Sequence, residues 1–305
     1  MMAAGDHDAP GVDGETGHHQ HTSTPPGTAV TGGTASRAGR NLPAAIAVGL
    51  GLGALLLAAL LFWRHLFVAI VAAAVAVSTM ELHRTLGRAA GVRLALAPLL
   101  VGGQAMIWLS WPFGTVGVLA SFALTVVACL LWRFRGGADG YLRDTSASVF
   151  VAAYVPLFAS FAALLVLSPD GAARTIAFLL AVVCSDTGGY VAGVLFGRHP
   201  MAPSISPKKS WEGFAGSLLA GVAAGVGSFV FLLDGAWWQG AIFGAALVVT
   251  ATTGDLIESL VKRDVGVKDM GSLLPGHGGI MDRMDSLLPS AVVSWLLLTV
   301  FLPLA

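Results

Sequence analysis

The sequence predicts an all-α, polytopic integral membrane bundle of about nine transmembrane helices with a cytoplasmic N-terminus. Three observations carry that expectation. Of 305 residues, 55% are hydrophobic and 11% charged, with a mean hydropathy of +0.78, whereas soluble domains carry about 25% charged residues. Apolar runs recur at lengths that match a hydrocarbon core about 30 Å thick, which takes roughly 20 residues of helix. The 39 glycines, with many alanines, suit helices packed through small residues. The net charge of zero hides an asymmetry, because the charges cluster in short segments between the apolar runs. This composition excludes an ordinary soluble enzyme, and no nucleic-acid partner is expected. Cys129 and Cys184 both lie in apolar stretches and read as small packing residues rather than a disulfide or metal motif.

Residues 1–41 are rich in Gly, Thr, Pro, Ala and His and show no periodic apolar pattern, so they read as a disordered cytoplasmic tail. Nine candidate spans follow, at 43–62, 65–82, 94–111, 114–132, 147–168, 172–196, 212–233, 236–261 and 287–304. Only Trp63, Arg64 and His65 separate the first two, which requires a tight hairpin. The membrane region divides into N-terminal helices over 42–168 and a catalytic region over 169–305, because ionisable residues within spans concentrate in the second part.

Basic residues in short loops favour the cytoplasmic side. With nine spans and the N-terminus inside, 15 of the 17 Lys and Arg residues fall there, leaving Arg64 and Arg174 outside. Trp111, Trp237 and Trp238 at outer borders, and Trp132 and Trp211 at inner ones, fit interfacial anchors.

Ionisable side chains in hydrocarbon are costly and point to function. Asp186 lies deep in the sixth span, in Ser185-Asp186-Thr187-Gly188-Gly189-Tyr190. Spacings of three and four from Asp255 to Glu258 and Ser259, and from these to Lys262, put the four on one stripe near the inner end of the eighth. For Asp186 the plainer reading is an internal ion pair that fixes packing. The segment Ser204-Ile205-Ser206-Pro207-Lys208-Lys209-Ser210-Trp211-Glu212-Gly213 is a basic loop opening into a helix, where cations and a helix N-terminus together favour an anion. Taken alone, Lys208 and Lys209 are more often a topology signal, and the loop gains weight only when joined to the next segment. The stretch from Ser259 to Asp285 then mixes Lys262, Arg263, Lys268 and Arg283 with Asp269, Asp282, Asp285 and the Gly276-His277-Gly278-Gly279 run. Carboxylate oxygens suit Mg²⁺ and cations suit phosphate, the equipment of phosphoryl or nucleotidyl transfer. No Gly-x-x-x-x-Gly-Lys-Ser/Thr loop occurs, which disfavours an ATPase pump. An ion-coupled transporter accounts for the intramembrane acids but leaves this dense loop unexplained.

Those residues resemble the signature of the phosphatidate cytidylyltransferases, or CDP-diacylglycerol synthases: S-x-hydrophobic-K-R, then K-D-x-small, then P-x-H-G-G-hydrophobic-x-D-R-hydrophobic-D, over Ser259 to Asp285. Gly254-Asp255, the 206–213 loop and Ser185-Asp186-Thr187 also look like family features, with Ser210 where many members carry Thr. The resemblance spans roughly residues 180 to 290. It implies the reaction of CTP with phosphatidate to give CDP-diacylglycerol and pyrophosphate, at a site facing the cytoplasm in the inner membrane. A CTP-dependent lipid kinase is the nearest rival. On this reading Asp255 and Asp282 bind a catalytic Mg²⁺, with Asp186 and Asp285 as neighbouring carboxylates and a second, monovalent ion such as K⁺ nearby. Lys208, Lys209, Lys262, Lys268 and Arg283 hold the phosphates, and Ser206, Arg263, His277, Gly278 and Gly279 complete the substrate contacts. Glu212 and Glu258 either orient lysines or touch metal. The resemblance also implies a homodimer.

Overall fold

The computed structural model describes residues 42–271 and 278–303; the expected tail and His277 lie outside them. The helices are α1 Leu42–Phe62, α2 Arg64–Ala90, α3 Leu96–Trp108, α4 Ser110–Trp132, α5 Tyr141–Ala152, α6 Phe158–Leu167, α7 Gly171–Phe196, α8 Trp211–Leu232, α9 Trp237–Asp264, α10 Met281–Met284 and α11 Leu287–Phe301. A π turn at Ala153–Leu157 joins α5 to α6, and Pro156 sits inside it. A wider turn tolerates a residue that has no N–H to give and whose ring crowds the preceding carbonyl. Among the described residues the only strands are a short antiparallel hairpin, β1 Pro200–Ala202 and β2 Ser206–Ser210, which occupies the basic loop where no sheet was expected. Strand β2 runs straight into α8, and Ser210 caps that helix by accepting from Gly213 N–H at 3.1 Å.

All nine apolar segments are helical, and among the described residues seven helices are long and apolar enough to cross a membrane. The other two are the first, of which Gly53–Phe62 counts as a shorter apolar helix, and the third, with 13 residues in α3. At 1.5 Å per residue these cover about 20 Å. The chain reaches α3 through non-helical residues 91–95, in which Val92, Leu94 and Ala95 are buried and Ala95 N–H donates to Ser148 Oγ at 3.0 Å. Irregular backbone within a bilayer needs this kind of internal satisfaction. The α1–α2 break is a single residue, Trp63, with φ −156° and ψ 84°.

Two sets of contacts define the ends of the bundle. At one, His65 stacks on Trp111 at 3.6 Å, and buried Arg174 at the start of α7 donates to the carbonyls of Leu298 and Leu302 at the end of α11. At the other, Arg143 reaches Gly91 O and pairs with Asp144, as does Arg133. The motif residues gather at this second end. Helices α7, α8 and α9 approach closely through small residues: an added Cβ at Gly188 or Gly216 would strike the other helix's backbone, as would one at Gly225 or Gly240.

Candidate functional site

Lys209, the last but one residue of β2, reaches from the hairpin to Asp255 on α9, Nζ to Oδ2 at 2.5 Å. One turn further along α9, Glu258 pairs with Lys262, and Lys262 also donates to Asp282 Oδ1 at 2.9 Å. The i, i+3, i+4 stripe expected on this helix therefore exists, and its partners come from two other segments. Glycine at 254 makes that possible. A Cβ there would collide with the Asp285 carbonyl and the Pro289 ring, so α9 touches the link into α11 backbone to backbone and Asp255 is brought beside Asp285. Tyr154 in the π turn holds the same place by donating to Gly254 O at 3.2 Å.

Asp282 organises the loop around it. It accepts from Met270 N–H at 3.1 Å, from Gly279 N–H at 2.8 Å and from Lys262. Gly278, at φ +81°, supplies the left-handed turn that lets Gly279 point its N–H at this carboxylate. A second acid anchors the loop from an unexpected quarter. Glu81, buried near the end of α2, accepts from Ile280 N–H at 3.2 Å and Met281 N–H at 3.0 Å, and its carboxylate fills the space that side chains at Gly271 and Gly279 would take. Thr85, one turn on, donates to Met270 O at 2.7 Å. Nothing in spacing marks Glu81 beforehand; the available signal was an acid inside the apolar span expected at 65–82.

These groups enclose two adjoining cavities. A polar one of about 390 Å³ is walled by Glu258, Lys262, Asp282, Arg283 and Asp285. A second, of about 380 Å³, runs between α7, α8 and the hairpin, where Ser206 and Lys208 face Tyr190, Met201 and Phe214. Asp186, Lys209 and Asp255 line both. Asp186 accepts from Ser286 Oγ at 3.4 Å, which ties α7 to α11 across the junction. Of the residues singled out from sequence, Lys268 is exposed and Arg263 donates to Ile205 O at 3.4 Å; neither lines these cavities. Glu212 takes N–H donors from Arg198 and His199 and so fastens the entry to the hairpin.

Among the described residues no three acidic or histidine side chains are arranged as ligands around one centre. The donor set nonetheless fits a divalent cation. Five carboxylates but only three cationic side chains line the polar cavity, an excess of two negative charges. Asp285 lies beside both Asp255 and Glu258, and Glu258 Oε1 is buried with no hydrogen-bond donor. A buried carboxylate oxygen in that position is costly until a cation or proton meets it.

A helical membrane bundle with a cleft at one end lined by both carboxylates and lysines belongs, as a class, with membrane enzymes that handle phosphates by charge neutralisation. The comparison with known proteins narrows this. The sequence pattern of the Cytidylyltransferase family matches residues 43–301. The phosphatidate cytidylyltransferase of Mycobacterium leprae is 55% identical over 279 residues, 86% of this chain and 89% of that protein. The enzyme of that name from Mycobacterium tuberculosis is 53% identical over 277 residues, 87% of this chain and 84% of its own. The phosphatidate cytidylyltransferase of Helicobacter pylori is 34% identical over 213 residues, 63% of this chain and 79% of that protein. The chain belongs to the Cytidylyltransferase family.

Proposed function

We propose that this protein transfers the cytidylyl group of CTP to phosphatidate, giving CDP-diacylglycerol and pyrophosphate. The observation that carries the reading is the pair of cavities, one polar and one partly apolar, joined at Asp186, Lys209 and Asp255. The nucleotide triphosphate suits the polar cavity and the lipid headgroup suits the one walled by Tyr190, Met201 and Phe214, so the two phosphates meet at the shared wall. A phosphate oxygen of the lipid attacks the α-phosphorus of CTP. The bond from that phosphorus to the bridging oxygen breaks, and pyrophosphate leaves with the electron pair.

A phosphate monoester is largely ionised at neutral pH, so the nucleophile needs no general base. The obstacle is repulsion between anions, which Lys208, Lys209, Lys262 and Arg283 offset in a cleft of low dielectric. Asp255, Asp285 and Glu258 would hold Mg²⁺, which would supply further charge neutralisation, with Asp186 and Asp282 alongside. Asp282, expected as a ligand, stands outside the set because it is already taken by Lys262 and the Met270 and Gly279 N–H groups. Glu258 joins the set because its Oε1 lacks a donor. A monovalent ion such as K⁺ belongs to the same centre by family resemblance, and Lys268, Arg263 and His277 are contacts made once substrate is present. We assign nine crossings, a cytoplasmic N-terminus and site, residence in the inner membrane and a homodimeric state.

The test is purified protein with phosphatidate and CTP labelled at either the α- or the γ-phosphorus. Label from the α position in the lipid, with label from the γ position released as pyrophosphate, is the expected result. Label entering lipid only from the γ position would make the protein a CTP-dependent kinase.

A further inference from the structure

Away from the site, the shortness of α3 leaves a recess in the membrane-facing surface. Past its break at Gly114, helix α4 runs on from Thr115 to Trp132, longer than the 13 residues of α3, so at the motif end of the bundle α4 continues beside a partner that has not yet begun. The result is a groove of about 790 Å³, with Ala97 and Val101 on one wall, Leu131 and Trp132 on the other, and Arg133 and Arg135 at its end. Val101, Leu131 and Trp132 are exposed, as lipid-contacting side chains would be. The end of the groove is cationic beyond its own needs. Arg133 and Arg143 share one carboxylate, Asp144. Buried Arg133 keeps its Nε–H without an acceptor, and Arg135, also exposed, has no ion pair among the described residues. Gly136 gives Arg133 its room, since a Cβ there would strike the guanidinium.

We infer that this groove is a binding site for an acidic phospholipid, its phosphate at Arg135 and Arg133 and a tail along Val101 and Leu131. Charge complementarity selects the lipid. A zwitterionic headgroup brings its own cation to the arginines, whereas an acidic one leaves net negative charge to meet them. Tryptophan at the groove mouth fits the headgroup level. The site shares no lining residue with either cavity described above, so the inference stands whatever reaction those cavities perform.

Native mass spectrometry of the full-length, detergent-solubilised protein, titrated with phosphatidylglycerol or phosphatidylcholine, reads this directly. The wild type is expected to retain one phosphatidylglycerol in preference to phosphatidylcholine. Arg135→Gln should lower that affinity about fivefold, the factor equivalent to ~1 kcal/mol, while Arg88→Gln, which removes a cation at the same end of the bundle but outside the groove, should not. Val101→Trp should displace the lipid with every arginine intact. Equal losses in Arg135→Gln and Arg88→Gln would reduce the effect to diffuse surface charge and overturn the site. So would unchanged binding in Val101→Trp, or a Val101→Trp variant that dissociates a dimer without altering lipid retention, which would assign the groove to a second copy of the chain.

Discussion

Glu258 meets Lys262 through one oxygen and leaves Oε1 buried without a donor. That asymmetry separates a lysine-orienting role from a metal-binding one. Glu258→Gln keeps the shape and a hydrogen-bonding partner for Lys262, so it should fold, yet it removes the charge a cation would need. The half-saturating Mg²⁺ concentration should rise ten- to hundredfold, the range seen when metal-site partners are altered, with activity recovering at high Mg²⁺. An unchanged Mg²⁺ titration would confine Glu258 to holding Lys262. Glu81 makes a different case. Its carboxylate accepts two backbone N–H groups, and hydrogen bonds to a charged group contribute about 1.5–3 kcal/mol. Glu81→Ala should therefore lower kcat/KM by roughly ten- to a hundredfold by loosening the loop that Asp282 also grips, with the melting temperature falling only a few degrees. Full activity in this variant would detach the loop from α2. The difference between these two acids is also one of legibility. Glu258 belongs to a stripe readable from spacing, whereas the partner of Glu81 lies about 200 residues away in sequence, and no local pattern records such a pairing.

At the level of elements, helices were legible where apolar length alone decides them, and connections were not. The span expected at 114–132 begins at Gly114, where a φ of 55° and ψ of −138° break the helix. The small hairpin at 200–210 escaped notice because its residues read equally well as a charged loop, and only its antiparallel pairing aims Lys209 at Asp255. Contact between α9 and α11 is the element-level feature on which the site depends most. Gly254→Ala must push Asp255 and Asp285 apart, and overpacking of this kind costs about 1–3 kcal/mol. It should cut activity more than tenfold and lower the thermal midpoint in detergent. Gly227→Ala on α8, where an added Cβ meets nothing, should leave activity unchanged and raise the midpoint slightly, as alanine favours helix by up to about 1 kcal/mol. If the two variants behaved alike, backbone contact between α9 and the link into α11 would not be what sets the carboxylates.

For the whole molecule, the question is which way the bundle faces, and the short α3 makes it a sharp one. If α3 failed to cross, every later segment would change sides relative to α1 and α2. Two contacts argue that it crosses. The stack of His65 on Trp111 puts the α1–α2 and α3–α4 turns at one end, and the Arg143 contact with Gly91 O puts the α2–α3 and α4–α5 connections at the other. The non-helical stretch 91–95 adds depth to the ~20 Å of α3, though less than the roughly 3.3 Å per residue of an extended chain, because Gly91 is left-handed and Leu96 N–H turns back to Leu94 O. Single cysteines at Lys268, beyond α9, and at Asp234, between α8 and α9, test the outcome in a background with Cys129 and Cys184 replaced by serine. A membrane-impermeant thiol reagent should label the cysteine at 234 in intact spheroplasts and the one at 268 only in inverted vesicles. That pattern would place the carboxylate-rich cleft where CTP is present. Labelling of position 268 from outside would reverse the bundle and remove the nucleotide supply on which the proposed reaction depends.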